Sequence, residues 1–120
     1  IAEFRDRPIA ELSGGVKKLL DIAMAMAGKT DIMLLDEPTS GVASDEKFPI
    51  MDRVIKALTE AGVTILFVEH DMEIVNRYAH QVVAFYAGRV IANDKPDTVL
   101  ADAEVKRYVT GQAGQWRGLV

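Results

Sequence analysis

The sequence predicts an α/β fold built on a sheet that is parallel at least in part. Two short apolar runs, at 31–36 and 63–69, alternate with stretches whose apolar residues recur at helical spacing. Both runs carry consecutive large aliphatic residues, the pattern of strands covered on both faces. Each run also ends in reactive side chains, Asp36 and Glu37 after the first and Glu69 and His70 after the second. Ligands of such sheets gather at the carboxyl ends of the strands, so these four residues mark the candidate site.

The elements follow in order. Residues 1–11 are charged and mixed, the end of a helix and a loop. Val16, Leu19, Leu20, Ala23, Met24 and Ala27 give an amphipathic helix, with Gly28 as its expected terminator. The first strand follows at 31–36, and Glu37-Pro38-Thr39-Ser40-Gly41 is turn chemistry. A second helix is expected over 45–61, with Ile50, Val54, Ala57, Leu58 and Ala61 on one face. Pro49 restricts its start and Gly62 ends it. After the strand at 63–69, His70-Asp71 opens a short helix to about residue 79. Residues 82–86 and 89–92 flank Ala87-Gly88 and predict a hairpin. Pro96 suits the first turn of a small helix, and Asp102 caps another that ends at Gly111. Residues 112–120 read as a loose tail, with Trp116 either an anchor or exposed.

Composition narrows the functional class. A chain of 120 residues is one domain or a piece of one, and a hydrophobic content of 49% supports a buried core. A net charge of −4 argues against a nucleic-acid partner, as does the pI of about 5.1. There is no cysteine, hence no disulfide framework and no thiolate metal site. The apolar runs are too short to span a bilayer. The chain begins at Ile1 without an initiator methionine and is expected to be cut from something longer.

The stretch "AGKTDIMLLDEPTSG", residues 27–41, contains two phosphate-like signals of unequal value. Gly28-Lys29-Thr30 resembles the end of a P-loop, but the required earlier glycine is Ala23, and the order is helix then strand rather than strand then helix. A helix ending followed by a solvated lysine accounts for it. Asp36, by contrast, is delivered by a strand to its carboxyl end, where a carboxylate can hold Mg²⁺ through water. Glu37 beside it can polarise a water for attack on a phosphate. An acidic strand end in a turn is also an ordinary structural feature. Leu12-Ser13-Gly14-Gly15 opens the first helix, an anion-binding position that a plain N-capping loop would occupy equally well. His70 is open to a catalytic or a structural capping role.

Taken in order, these features resemble the ATPase domain of ABC transporters. "ELSGGV" is similar to the family signature, "IMLLDEP" to the Walker B strand, "TSGVAS" to the D-loop and "ILFVEHD" to the switch-histidine strand. The C-terminal segment from Gly88 to Val109 looks most like the branched-chain amino-acid importer group. The resemblance implies a partial P-loop NTPase-type three-layer fold, mostly parallel with a C-terminal hairpin and lacking the P-loop strand. Residues 1–28 would be the end of the helical subdomain and 29–111 the rest of the catalytic core. It also implies roles. Ser13, Gly14 and Gly15 would contact the γ-phosphate of an ATP held by a second subunit, and Asp36 would serve Mg²⁺. Glu37 would be the general base, and His70 would hold the γ-phosphate and the attacking water.

The implied partners are a second ATPase subunit and membrane permease subunits, with the protein peripheral to the cytoplasmic face of the membrane. Three residues depart from the pattern: Val16 stands for a glutamine, Ala43 for the D-loop aspartate and Met24 for a common arginine. The P-loop itself, the adenine-stacking aromatic and the Q-loop would lie upstream of residue 1. The 120-residue chain alone is therefore expected to bind ATP very weakly, not to hydrolyse it, and to self-associate through an unpaired sheet edge. A non-transport ABC ATPase is disfavoured by the C-terminal segment and the acidic pI. A non-catalytic module that lends its signature loop to a partner is kept open by Val16 and Ala43, and opposed by the intact Asp36, Glu37 and His70.

Overall fold

The computed structural model describes residues 4–111. They form two compact units, one through His70 and one from Asp71.

In the first unit, a 3-10 turn at Ile9–Glu11 precedes helix α1, Gly14–Ala25. Ser13 is its N-cap, and its Oγ accepts the Val16 N–H at 3.3 Å. The helix ends earlier than its sequence suggests. Met26 is the C-cap in right-handed helical conformation, its N–H donating to the Ile22 carbonyl. Gly28 lies beyond that cap without a positive φ, so it is not the terminator. The buried face also differs: Ile22 is in the core with Leu19 and Met26 against it, whereas Met24 is 67% exposed.

Strand β1 (Ile32–Asp36) is joined to strand β2 (Thr64–Val68) through helix α2 (Lys47–Glu60). The strands are parallel and in register from Ile32 against Thr64 to Asp36 against Val68. Pro49 falls in the first turn of α2, where its missing N–H is harmless. Gly62, at φ 73°, turns the chain out of the helix. Ile50, Met51, Val54 and Leu58 of α2 are buried. Met51, not singled out by the spacing, is fully buried, whereas Ala57 and Ala61 are exposed.

The core of this unit gathers Ile22, Met33, Leu35, Val42, Ile50, Val54 and Leu58, with Ile65 and Phe67 packed against it. Full burial of one such side chain contributes about 1.5–3 kcal/mol. Cover on both faces of the strands is not what the structure shows. Met33 and Leu35 point into the core, but Ile32 (60% exposed), Leu34 (69%), Leu66 (59%) and Val68 (62%) line an uncovered face. The strand period of two sends alternate side chains to opposite faces, and the helices of this unit cover one of them.

The second unit begins with helix α3 (Met72–Tyr78), capped by Asp71, whose Oδ1 accepts the Glu73 N–H at 3.1 Å. Strands β3 (Val82–Tyr86) and β4 (Arg89–Asp94) form an antiparallel hairpin, two residues longer in β4 than expected. Its turn residues Ala87 (φ 48°) and Gly88 (φ 78°) are both left-handed, as a two-residue turn between twisted strands requires. Pro96 opens helix α4 (Pro96–Ala101). Asp102 caps helix α5 (Ala103–Tyr108), its Oδ1 accepting from Glu104 and Val105. The last helix ends with Val109 as its C-cap rather than at Gly111. Ala84, Val99 and Val105 form the core, and the Tyr86 and Tyr108 rings stack with centroids 4.3 Å apart.

The expected parallel sheet and C-terminal hairpin are present as the parallel pair β1-β2 and the antiparallel pair β3-β4. Among the described residues no further strand joins them, so β2 has one neighbour and one open edge. The loose tail at 112–120 and Trp116 lie outside the described residues.

Candidate functional site

The parallel pairing of β1 and β2 decides the site, because it brings both strand ends to the same edge. Asp36, the last residue of β1, is opposite Val68, the last residue of β2. The Glu37 N–H extends the ladder by donating to the Val68 carbonyl at 2.9 Å. Glu37 then turns the chain away at φ 43°, a left-handed conformation uncommon for a residue with a β-carbon. Pro38 and Thr39 follow, both buried, and the Ser40 N–H closes the turn on the Glu37 carbonyl at 2.9 Å.

His70 reaches the same place from β2. Its Nδ1 lies 3.4 Å from Glu37 Oε1, with the His70 and Glu37 side chains 75% and 48% exposed. An exposed contact of this kind adds little to stability. Its significance is positional: a carboxylate and an imidazole face one accessible spot at the carboxyl edge of a parallel sheet.

Glu69, between β2 and His70, is turned inward. Its Oε1 accepts from the Thr39 N–H at 3.0 Å and from the Thr39 hydroxyl at 2.6 Å. Its Oε2 is buried with no hydrogen-bond partner among the described residues. The sequence marks Glu69 as a strand-end residue but not its pairing with Thr39. The available signal was a carboxylate closing an otherwise apolar strand opposite a turn threonine.

Ser13, Gly14 and Gly15 sit at the start of α1. A helix leaves its first amides without intrahelical acceptors, and Ser13 Oγ takes only that of Val16, which leaves the Gly14 and Gly15 amides for an anion. Gly14 is sterically confined by backbone, and Gly15 by a side chain that would have to move. A β-carbon on Gly14 would lie 2.5 Å from the Gly41 carbonyl oxygen, and one on Gly15 would collide with the Ile50 side chain. Among the described residues no hydrogen bond or ion pair joins Ser13, Gly14 or Gly15 to Asp36, Glu37 or His70. Gly28-Lys29-Thr30 lies between α1 and β1, helix before and strand after, which excludes P-loop geometry.

No cluster of three or more potential metal ligands occurs among the described residues. Asp36 is a single exposed hard-oxygen donor at a strand end. That suits Mg²⁺, which keeps several waters and takes one or two carboxylates together with substrate phosphates.

The ABC transporter family model matches residues 1–40. The energy-coupling factor transporter ATP-binding protein EcfA of Methanothermobacter thermautotrophicus is 36% identical over 104 residues, which are 87% of this chain and 33% of that protein. An ATP-binding cassette of an ABC transporter, solved in its ADP conformation, matches 92% of this chain and 45% of its own with a TM-score of 0.81 and 30% identity. The chain is a portion of an ABC transporter ATP-binding domain.

Other cassette proteins agree. The cobalt import ATP-binding protein CbiO of Rhodobacter capsulatus is 39% identical over 104 residues, 85% of this chain and 36% of that protein. The structure of cbiO1 from Clostridium perfringens, part of the ABC transporter complex cbiONQ, matches with a TM-score of 0.78 and 36% identity over 89% of this chain and 43% of its own. The chain spans about a third of the length of the curated relatives it matches.

Within this ABC cassette segment the departures from the family pattern acquire physical settings. Val16 lines an open pocket of about 410 Å³ with Phe4, Arg5, Arg7, Ile9, Leu12 and Leu20. Met24 and Ala43 are exposed, so neither substitution disturbs the core.

Proposed function

We propose that the protein carrying this segment is the ATP-hydrolysing subunit of an ABC importer. The observation that carries the reading is the Glu37–His70 contact of 3.4 Å at the carboxyl edge of β1 and β2. Glu37 is the general base that takes a proton from the attacking water, and His70 holds that water and the γ-phosphate. Ser13 and the Gly14 and Gly15 amides meet the γ-phosphate of an ATP held mainly by a second ATPase subunit, consistent with their separation from Glu37 in the hydrogen-bond network. Asp36 serves Mg²⁺, which when bound neutralises charge on the β- and γ-phosphates. Residues 1–28 belong to the end of the helical subdomain and 29–111 to the catalytic core. No described helix is long and apolar enough to cross a membrane, in keeping with attachment through permease subunits at the cytoplasmic face.

The 120-residue chain alone is inactive in this reading, because phosphoryl transfer also requires donors that cradle the β-phosphate, and the residues assigned here meet only the γ-phosphate, the attacking water and Mg²⁺. The C-terminal segment resembles that of the branched-chain amino-acid importer group, while the cargo itself is set by other subunits. A second reading, a metal or metal-chelate importer, is favoured by the relatives named for cobalt and hemin import.

The test is phosphate release by the intact subunit with Mg²⁺ and ATP. Glu37→Gln is expected to lower turnover by about 10²–10⁴-fold while ATP still binds. Turnover unchanged in Glu37→Gln refutes the reading.

A further inference from the structure

We propose that Glu69 is a positioning residue for the Glu37–His70 pair, acting through its two hydrogen bonds to Thr39. The inference rests on the ATPase reading and extends it to a side chain that touches neither nucleotide nor water.

Three links close a ring around the pair. The Glu37 N–H donates to the Val68 carbonyl at 2.9 Å, which fixes the backbone on the near side of the carboxylate. The chain continues through buried Pro38 to Thr39, which is 4% exposed. Thr39 then returns to the other strand, its N–H at 3.0 Å and its hydroxyl at 2.6 Å from Glu69 Oε1. Glu69 is the immediate neighbour of both Val68 and His70. The segments that carry Glu37 and His70 are thus joined twice besides their own 3.4 Å contact, through the Val68 carbonyl and through the Glu69 side chain. Glu37 sits at φ 43°, a conformation that persists only where its surroundings over-determine it. The Thr39–Glu69 clamp is one of the constraints that does so.

The chemistry of Glu69 indicates what matters in it. One oxygen accepts both bonds, and the other is buried and unpartnered. An unpaired buried oxygen is a cost, so the second oxygen is not what the clamp uses. An acceptor at the position of Oε1 is sufficient, and a negative charge is not required. Glutamine supplies that acceptor with the same length and shape; alanine supplies none.

The experiment measures steady-state ATP hydrolysis by the intact subunit. Glu69→Ala is expected to lower kcat by about tenfold or more with little change in KM for ATP, because misplacing a base or a water affects the reacting geometry more than nucleotide binding. Glu69→Gln is expected to restore kcat to within about twofold of wild type. Thr39→Val removes the hydroxyl and keeps the amide, so it falls between the two, and combined with Glu69→Ala it adds less than its own separate effect. Glu69→Gln as damaging as Glu69→Ala overturns the proposal, since charge would then be the operative property. Wild-type turnover with Glu69→Ala unaffected overturns the positioning role and leaves the ATPase reading standing. A wild-type subunit that does not turn over ATP overturns the ATPase reading, and the positioning role with it.

Discussion

Glu37 Oε1 and His70 Nδ1 lie 3.4 Å apart, although each is delivered by a different strand and the two are joined by an entire crossover helix. The parallel register of β1 and β2, which sets Asp36 opposite Val68, places the residues after both strands at one edge. His70→Ala in the intact subunit is expected to slow ATP hydrolysis by about 10²-fold, the lower range for loss of a positioned acid–base group, with ATP binding retained. Its thermal stability should stay within about 0.5 kcal/mol of wild type, because the contact is exposed. Kinetics and calorimetry on the same preparation check both halves, and a loss of activity that tracks a loss of stability contradicts the assignment.

The left-handed φ of 43° at Glu37 gives a second expectation. Glu37→Gly relieves backbone strain of about 1–3 kcal/mol, offset in part by the greater freedom of glycine in the unfolded chain. The variant should melt at the wild-type temperature or above while losing hydrolysis. Glu37→Gln keeps the strain and should melt as wild type does. A clearly destabilised Glu37→Gly argues that the turn is not strained.

The glycines of α1 and of the following loop should respond in opposite directions. In Gly14→Ala the new methyl meets the Gly41 carbonyl oxygen, which belongs to the backbone and cannot swing aside. The expected loss is about 1–3 kcal/mol of stability. Gly28 has no atom within 4 Å of its β-carbon position and no positive φ. Gly28→Ala should therefore stabilise by about 0.4–1 kcal/mol through the unfolded chain. Denaturant melts of the intact subunit check both, and a destabilising Gly28→Ala would reinstate that glycine as the helix terminator.

The uncovered side of β1-β2 predicts association of the 120-residue chain with itself. Ile32, Leu34, Leu66 and Val68 expose a contiguous apolar face beside the open edge of β2. Such surfaces recruit partners or aggregate. Light scattering should show concentration-dependent oligomers, and Leu34→Lys with Leu66→Lys should shift them toward monomer. A strictly monomeric wild-type chain at high concentration removes this expectation.

Much of the fold was legible because its signals are local. Gly62 after α2, Asp71 and Asp102 as N-caps, Pro96 in a first turn and Ala87-Gly88 in the hairpin each act within one turn of chain. Neighbouring residues suffice to read them. The acidic and histidine ends of the two strands were legible for the same reason, since an apolar run states where it stops.

The sequence by itself determined the kinds and order of elements, the strand ends that carry Asp36, Glu37 and His70, and the rejection of Gly28-Lys29-Thr30 as a phosphate loop. The tertiary structure decided which face of β1 and β2 is covered, that Met51 of α2 is buried while Ala57 is exposed, and that α1 stops at Ala25. It also decided that Gly14 must remain a glycine because Gly41 lies against it, that Glu37 is left-handed, and that Glu69 grips Thr39. Each of these depends on a segment distant in the chain, and the energy of such contacts resides in packing and hydrogen-bond geometry that no local pattern encodes.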